Sequence, residues 1–158
     1  MMPAHALAAE LVARGHHVAL VTDERGARIP GLFEDVPVHI LPAGRITGNP
    51  LSWPGGLRSI WSGRRMALRL YDAFEPAAVI GFGGYPAFPA LSAAHSAGIP
   101  TAVHEQNAVL GRVNRLVANR VQAIATAYPD IKRIAARNLV KVHLVGNPVR
   151  EDVLALRE

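Results

Sequence analysis

The strongest constraint on this chain is an alternation of short apolar runs with segments that have the spacing of amphipathic helices. The runs are "HVALVT" (17–22), "VPVHIL" (36–41), "AAVIGF" (77–82), "PTAVH" (100–104), "VQAIAT" (121–126) and "VKVHLVG" (140–146). They are mostly apolar on successive residues, which predicts strands buried on both faces of a sheet. Helices are predicted between them. The first runs from the amino terminus, with Pro3 in its first turn, a stripe of Leu7, Leu11 and Val12, and Gly15 as C-cap. Others span Leu57 to Phe74, residues 86–98 and Gly111 to Asn119, and a helical start follows at Pro148. This alternation predicts an α/β fold around a parallel sheet. A helix that feeds a parallel strand ordinarily follows another strand and a turn, which would both lie ahead of Met1.

The 158 residues, 50% hydrophobic and 18% charged, suffice for one domain with a real core. Cysteine is absent, which removes disulfides and thiolate metal sites and fits a cytosolic protein. No apolar run reaches the roughly 20 residues of a membrane span, and no leader pattern is present, so a soluble or peripheral protein is expected. The net charge is +5. Between Asp35 and Asp72 there is no acidic residue, whereas Arg45, Arg58, Arg64, Arg65 and Arg69 fall there. An anionic partner follows. Nucleic acid is disfavoured by the scarcity of lysine and the lack of any zinc-finger, RNA-recognition or helix-turn-helix pattern.

Three stretches could carry chemistry. In "GFGGYPAF" (81–88), between a strand and a helix, the amides of Gly83, Gly84 and Tyr85 could converge with the positive helix end near Pro86 to hold phosphate. It is not a dinucleotide fingerprint, and a tight turn without a ligand would use the same residues. "HEQN" (104–107) places four polar groups at the next strand end, where open α/β sheets bind ligands. Asn107 as an N-cap and Glu105 as a helix-dipole partner are the structural alternatives. The third stretch is the helix from Leu57. It has Leu57, Ile60, Trp61, Leu68 and Tyr71 on one side and Arg58, Ser62, Arg65, Arg69 and Asp72 on the other. Trp53, Ile60 and Trp61 beside arginines match an interfacial contact with anionic lipid; a solvated helix face is the alternative. The histidines show no metal-ligand spacing, and no Gly-x-Ser-x-Gly elbow occurs.

"GFGGYPAFPALSAAHSAGIPTAVHEQNAVLGRVNRLVANRV", together with "GNPVR" (146–150), resembles the MurG family. Its members move GlcNAc from UDP-GlcNAc to undecaprenyl-pyrophosphoryl-MurNAc-pentapeptide, lipid I, to make the lipid II of peptidoglycan. The resemblance implies a Rossmann-like doubly wound sheet that forms one half of a two-domain glycosyltransferase of GT-B type. Residues 1–146 would be the acceptor domain and 147–158 the start of the interdomain segment, with the donor domain outside this chain. Gly83, Gly84 and Tyr85 are assigned to the acceptor's pyrophosphate. Glu105, Gln106 and Asn114 are assigned to the cleft, and Asn107 and Arg150 to UDP-GlcNAc. Trp53, Leu57, Ile60, Trp61, Arg64 and Arg65 correspond in character to a patch that docks on an anionic membrane at the cytoplasmic face. Cell-wall or division proteins would be further partners. No cofactor or metal is implied.

The family's opening strand and Gly-Gly-Thr-Gly-Gly-His loop have no counterpart in this sequence, and His5 is not that histidine. The candidate base would lie in that loop, so no catalytic residue is assigned and the chain alone is expected not to transfer sugar. Two rival readings are a non-catalytic membrane-docking subunit of a two-chain glycosyltransferase and a UDP-GlcNAc 2-epimerase-like domain. "HEQN" and the basic aromatic patch weigh against the epimerase, which needs no lipid surface.

Overall fold

The computed structural model describes residues 2–29, 36–44 and 53–149. In chain order the elements are α1 (Met2–Ala13), β1 (Leu20–Thr22), α2 (Glu24–Ala27), β2 (Val38–Ile40), α3 (Trp53–Phe74), β3 (Val79–Gly81), α4 (Ala87–Ser96), β4 (Thr101–Glu105), α5 (Arg112–Val117), β5 (Ala123–Thr126) and β6 (Val142–Leu144). A 3-10 helix, Ala136–Lys141, leads into β6.

Every strand pairing is parallel, as the apolar runs require. The sheet is nevertheless in two parts. β1 and β2 pair in register Leu20↔Val38, while β3, β4, β5 and β6 form a second sheet in that order. β1 and β3 flank one cavity, so the strand order runs outward in opposite directions from the space between them. Such a reversal is where open α/β sheets gather ligand-binding loops at the carboxyl ends of their strands.

Two clusters hold the layers. Leu91, Val103, Leu110, Val117, Ala118, Val121 and Ile124 join α4 and α5 to the faces of β4 and β5. Each fully buried aliphatic side chain there contributes roughly 1.5–3 kcal/mol. Leu41, Ala67, Tyr71, Ala90, Ala93 and Ala94 form the second cluster, at the α3–α4 contact. The small size of Ala67, Ala90, Ala93 and Ala94 lets the two helices approach closely, and the Tyr71 hydroxyl donates to the Ala90 carbonyl at 3.0 Å. Burial pushes the Tyr71 phenol up from 10.0 to about 12.

α3 departs from the sequence-based expectation in two ways. It starts at Trp53, four residues before Leu57, because Pro54 is tolerated in a first helical turn. Its buried stripe is Gly56, Gly63, Ala67 and Tyr71, whereas Leu57 and Trp61, expected on the side of Tyr71, are exposed. Close approach decides this: a Cβ on Gly63 would collide with the Pro42 carbonyl oxygen. The backbone therefore packs where there is least side chain. The carboxyl end of α5 is closed by Lys141, whose Nζ donates to the Ala118 and Asn119 carbonyls at 3.1 Å each. A cation there also meets the negative end of the helix dipole.

Candidate functional site

The carboxyl ends of β3 and β4 lie side by side, in register Gly81↔Val103. After β3 the chain turns through Gly83 and Gly84, both at φ +77°, a left-handed conformation that a side chain disfavours by about 1–2 kcal/mol. Gly84 is exposed, and Gly83 and Tyr85 are partly so. α4 opens at Ala87 after Pro86, which gives no side-chain cap. The first-turn amides of Ala87 and Phe88 reach the Gly84 and Tyr85 carbonyls only at 3.3 Å, the weak end of hydrogen-bond geometry. The turn thus offers a helix amino terminus without a capping side chain and two residues without Cβ atoms.

The neighbouring stretch is organised differently. Glu105, the last residue of β4, is 3% exposed. Its Oε1 accepts from the Asn107 backbone amide at 3.1 Å and from Asn107 Nδ2 at 2.9 Å. Its Oε2 accepts from the Gly111 amide at 2.8 Å and from Asn114 Nδ2 at 2.9 Å. One buried carboxylate therefore closes the 105–111 loop and caps α5, whose N-cap is Gly111 rather than Asn107. That loop also carries a parallel bridge between Val109 and Lys132.

His104 is buried as well. Its Nε2 lies 2.9 Å from the Gly146 carbonyl oxygen and its Nδ1 lies 3.2 Å from Gln106 Nε2. The carbonyl can only accept and the amide nitrogen can only donate, so a neutral ring protonated on Nε2 satisfies both contacts. Gln106 Nε2 also donates to the His104 carbonyl at 3.0 Å and reaches the Phe82 carbonyl at 3.4 Å, which ties the ends of β3 and β4 together. Asn107 is the exposed member of the four.

Asn114 joins the two regions. It is 1% exposed on α5, and its Oδ1 is buried without a hydrogen-bond partner among the described residues. The same side chain lies beneath the glycine turn, where a Cβ on Gly83 would stand 3.4 Å from Nδ2 and 3.7 Å from Oδ1. Gly83, Gly84, Tyr85, Gln106, Asn107 and Asn114 thus share one edge, and Glu105 supports it from below. Arg150 lies outside the described residues. The sequence reading missed Gly111 as the α5 cap and Gly146 as the partner of His104. The signal for Gly111 was a glycine immediately before a helical pattern; nothing local pointed to Gly146.

On α3, Leu57 is 55% and Trp61 58% exposed. Trp53 is exposed too, and the Arg65 guanidinium stacks 4.9 Å above the Trp61 ring. Arg64 is held differently, donating to Ser96 Oγ at 2.7 Å. Ile60 is half-buried. Among the described residues no helix is long and apolar enough to cross a membrane, and no cluster of three or more His, Cys, Asp or Glu could hold a metal.

Residues 1–126 match the family described as the glycosyltransferase family 28 N-terminal domain. Two curated relatives carry the name UDP-N-acetylglucosamine--N-acetylmuramyl-(pentapeptide) pyrophosphoryl-undecaprenol N-acetylglucosamine transferase. The protein from Erythrobacter litoralis is 63% identical over 158 residues, which is 100% of this chain and 40% of the relative. That from Novosphingobium aromaticivorans is 67% identical over 157 residues, 99% of this chain and 40% of the relative. The crystal structure of Acinetobacter baumannii MurG superposes with a TM-score of 0.76 at 27% identity, covering 94% of this chain and 42% of that one. The chain thus spans about 40% of the length of the curated relatives it matches.

Proposed function

Because the chain belongs to the glycosyltransferase family 28 N-terminal domain family, we propose that it is the acceptor half of an N-acetylglucosaminyltransferase. The reaction is transfer of GlcNAc from UDP-GlcNAc to lipid I, forming lipid II. Residues 1–146 make the acceptor domain, and 147–158 lead toward a donor domain. In the whole enzyme a base removes the proton from the acceptor hydroxyl as that oxygen attacks the anomeric carbon of UDP-GlcNAc. The carbon–oxygen bond to UDP breaks, and helix amino termini stabilise the departing diphosphate. The names of the relatives support the reaction.

The observation that carries the acceptor assignment is the glycine turn before α4. Two consecutive left-handed glycines, an uncapped ten-residue helix and the buried, unpartnered Asn114 Oδ1 all meet there. The turn suits a diphosphate, whose oxygens accept amide hydrogen bonds at a positive helix end. Gln106 and Asn107 border the same edge, Asn107 toward the donor and, with Arg150, toward UDP-GlcNAc. Glu105 acts by fixing the 105–111 loop. The test is a titration with a lipid I analogue of shortened prenyl chain, read by amide chemical shifts. Gly83, Gly84 and Tyr85 should move together, and unchanged shifts at all three would refute the assignment. The 158-residue chain should bind UDP-GlcNAc weakly, so micromolar affinity in calorimetry would argue for a donor site within it.

A second reading concerns α3, where exposed Trp53, Leu57 and Trp61 sit with Arg65 stacked on Trp61. These residues, with Ile60 and Arg64, support peripheral docking on an anionic membrane at the cytoplasmic face. Replacing Trp61, Arg64 and Arg65 together should release the protein from vesicles rich in phosphatidylglycerol. Undiminished cosedimentation would refute that reading.

A further inference from the structure

His104, on β4, has no part in the reaction proposed above, yet both of its ring nitrogens are committed. Nε2 donates to the Gly146 carbonyl at 2.9 Å, across 42 residues of chain. Nδ1 accepts from Gln106 Nε2 at 3.2 Å, and the same amide nitrogen reaches the Phe82 carbonyl at 3.4 Å. Phe82 precedes Gly83, and its ring centroid stands 5.6 Å from that of the imidazole. The imidazole is therefore the middle member of one line of contacts that runs from the glycine turn to Gly146. Packing alone does not call for its nitrogens, because a phenylalanine would fill the same buried place against Phe82.

Gly146 is where the chain leaves the sheet. β6 ends at Leu144, and the Val145 and Gly146 amides share the Thr126 carbonyl at 2.9 and 3.2 Å. Gly146 lies at φ +77°, and a Cβ there would meet nothing within 4 Å. Its glycine is thus required by the direction of the backbone and not by space. Thr126 holds the amide of this residue and His104 holds its carbonyl, so the peptide planes on both sides are fixed. Asn147 and Val149, which follow, are exposed, and the heading of that segment is set at Gly146.

We propose that His104 is a positioning residue that ties the exit of the chain at Gly146 to the glycine turn after β3, so that the two move as one unit. The purpose of the tie rests on the acceptor-half reading, in which the glycine turn holds a diphosphate and 147–158 lead toward a donor domain. A ligand that tightens the turn is then felt at Gly146 through Phe82, Gln106 and His104. Each nitrogen has one task. Nε2 sets the exit segment and Nδ1 transmits from the turn.

The test uses three replacements in the 158-residue protein. His104→Phe keeps a ring against Phe82 and removes both nitrogens. His104→Gln restores a donor near the Nε2 position, and His104→Asn restores an acceptor near the Nδ1 position. Exchange of the Gly146 amide should quicken about fivefold in His104→Phe, the factor for one ordinary hydrogen bond, and recover in His104→Gln but not in His104→Asn. Amides of Leu91, Ala93 and Ala94 on α4 should keep their protection, showing that the fold persists. Gly146→Ala approaches the same bond from its open end and should shift the His104 ring-nitrogen signals away from the Nε2-protonated pattern of the parent. Equal Gly146 exchange in the parent and His104→Phe would overturn the proposal, as would unchanged His104 ring signals in Gly146→Ala. With the lipid I analogue of shortened prenyl chain, Gly83, Gly84, Tyr85 and Gly146 should all shift in the parent, and Gly146 should stay still in His104→Phe. Movement of the turn without Gly146 in the parent would also overturn it. If the exchange results hold but the analogue moves none of these amides, the acceptor reading falls and the tie between the two turns stands.

Discussion

Two adjacent turns at the carboxyl edge of the sheet are built on opposite principles. In the turn after β4, polar side chains are dense and almost all of them are used internally. Glu105 accepts four hydrogen bonds, His104 bridges Gly146 and Gln106, and Gln106 reaches back to Phe82. In the turn after β3 there are few side chains, and the amides at the start of α4 have poor internal partners. The first turn spends its polarity on shape, while the second leaves the Ala87 and Phe88 amides in long hydrogen bonds of 3.3 Å. Polar density in a sequence therefore does not by itself measure ligand contact.

The most disruptive way to test this contrast is Glu105→Gln. Whichever way the amide points, its NH2 faces two N–H donors that the carboxylate had satisfied, and burial removes water as a substitute. The expected cost is about 3 kcal/mol, read as a lowered urea midpoint. A loss below about 1 kcal/mol would mean that the 105–111 loop is held by other contacts.

Gly83→Ala comes next. A methyl group at φ +77°, 3.4 Å from Asn114 Nδ2, should cost about 1–2 kcal/mol. It should also abolish the shifts that the lipid I analogue produces at Gly84 and Tyr85. Full binding with reduced stability would separate the turn's conformation from its proposed use.

Tyr71→Phe tests what supports the glycine turn from behind, since the Tyr71 hydroxyl fixes α4 through Ala90. Its loss should cost about 1 kcal/mol at neutral pH. The phenol is raised in the folded state, so its contribution is complete below the unfolded value near 10 and declines as pH rises through about 12. Alkaline unfolding curves of Tyr71→Phe should therefore be flatter than those of the parent between pH 10 and about 12.

The periodic parts of this architecture were legible. Runs such as "AAVIGF" and "VQAIAT" locate β3 and β5, although the paired strands are shorter, Val79–Gly81 and Ala123–Thr126. The flanking residues have mixed roles: Val121 enters the core, Ala77 and Ala78 are exposed, and Gln122 Oε1 accepts from the Thr101 amide at 2.7 Å. The face of α3 was illegible for a related reason. The largest apolar residues define the hydrophobic side in sequence, but contact with α4 and Pro42 is made through Gly63 and Ala67, and Leu57 and Trp61 are left outside. α2 was also unread. It lasts one turn and depends on a local cap in which Asp23 accepts from the Gly26 amide at 2.9 Å. Burial alone would raise the Asp23 carboxyl, but that amide and the Arg25 guanidinium outweigh it and hold it below its ordinary value. At the candidate site the sequence shows which groups are polar, yet cannot show that Gly146, 42 residues from His104, receives its Nε2–H.

The smallest stability effect should come from Asn107→Ala, the substitution that most directly sharpens the contrast. Asn107 is the exposed residue of the four and contributes a side-chain bond to a carboxylate that keeps three other donors. Its loss should therefore cost no more than about 0.5 kcal/mol. If Asn107 faces the donor nucleotide, its side-chain amide signals in the parent should shift at millimolar UDP-GlcNAc while the Gly111 amide, held against Glu105, stays still. The opposite pattern would indicate that the carboxylate hub is itself remodelled by ligand, and the division between a structural turn and a binding turn would no longer hold.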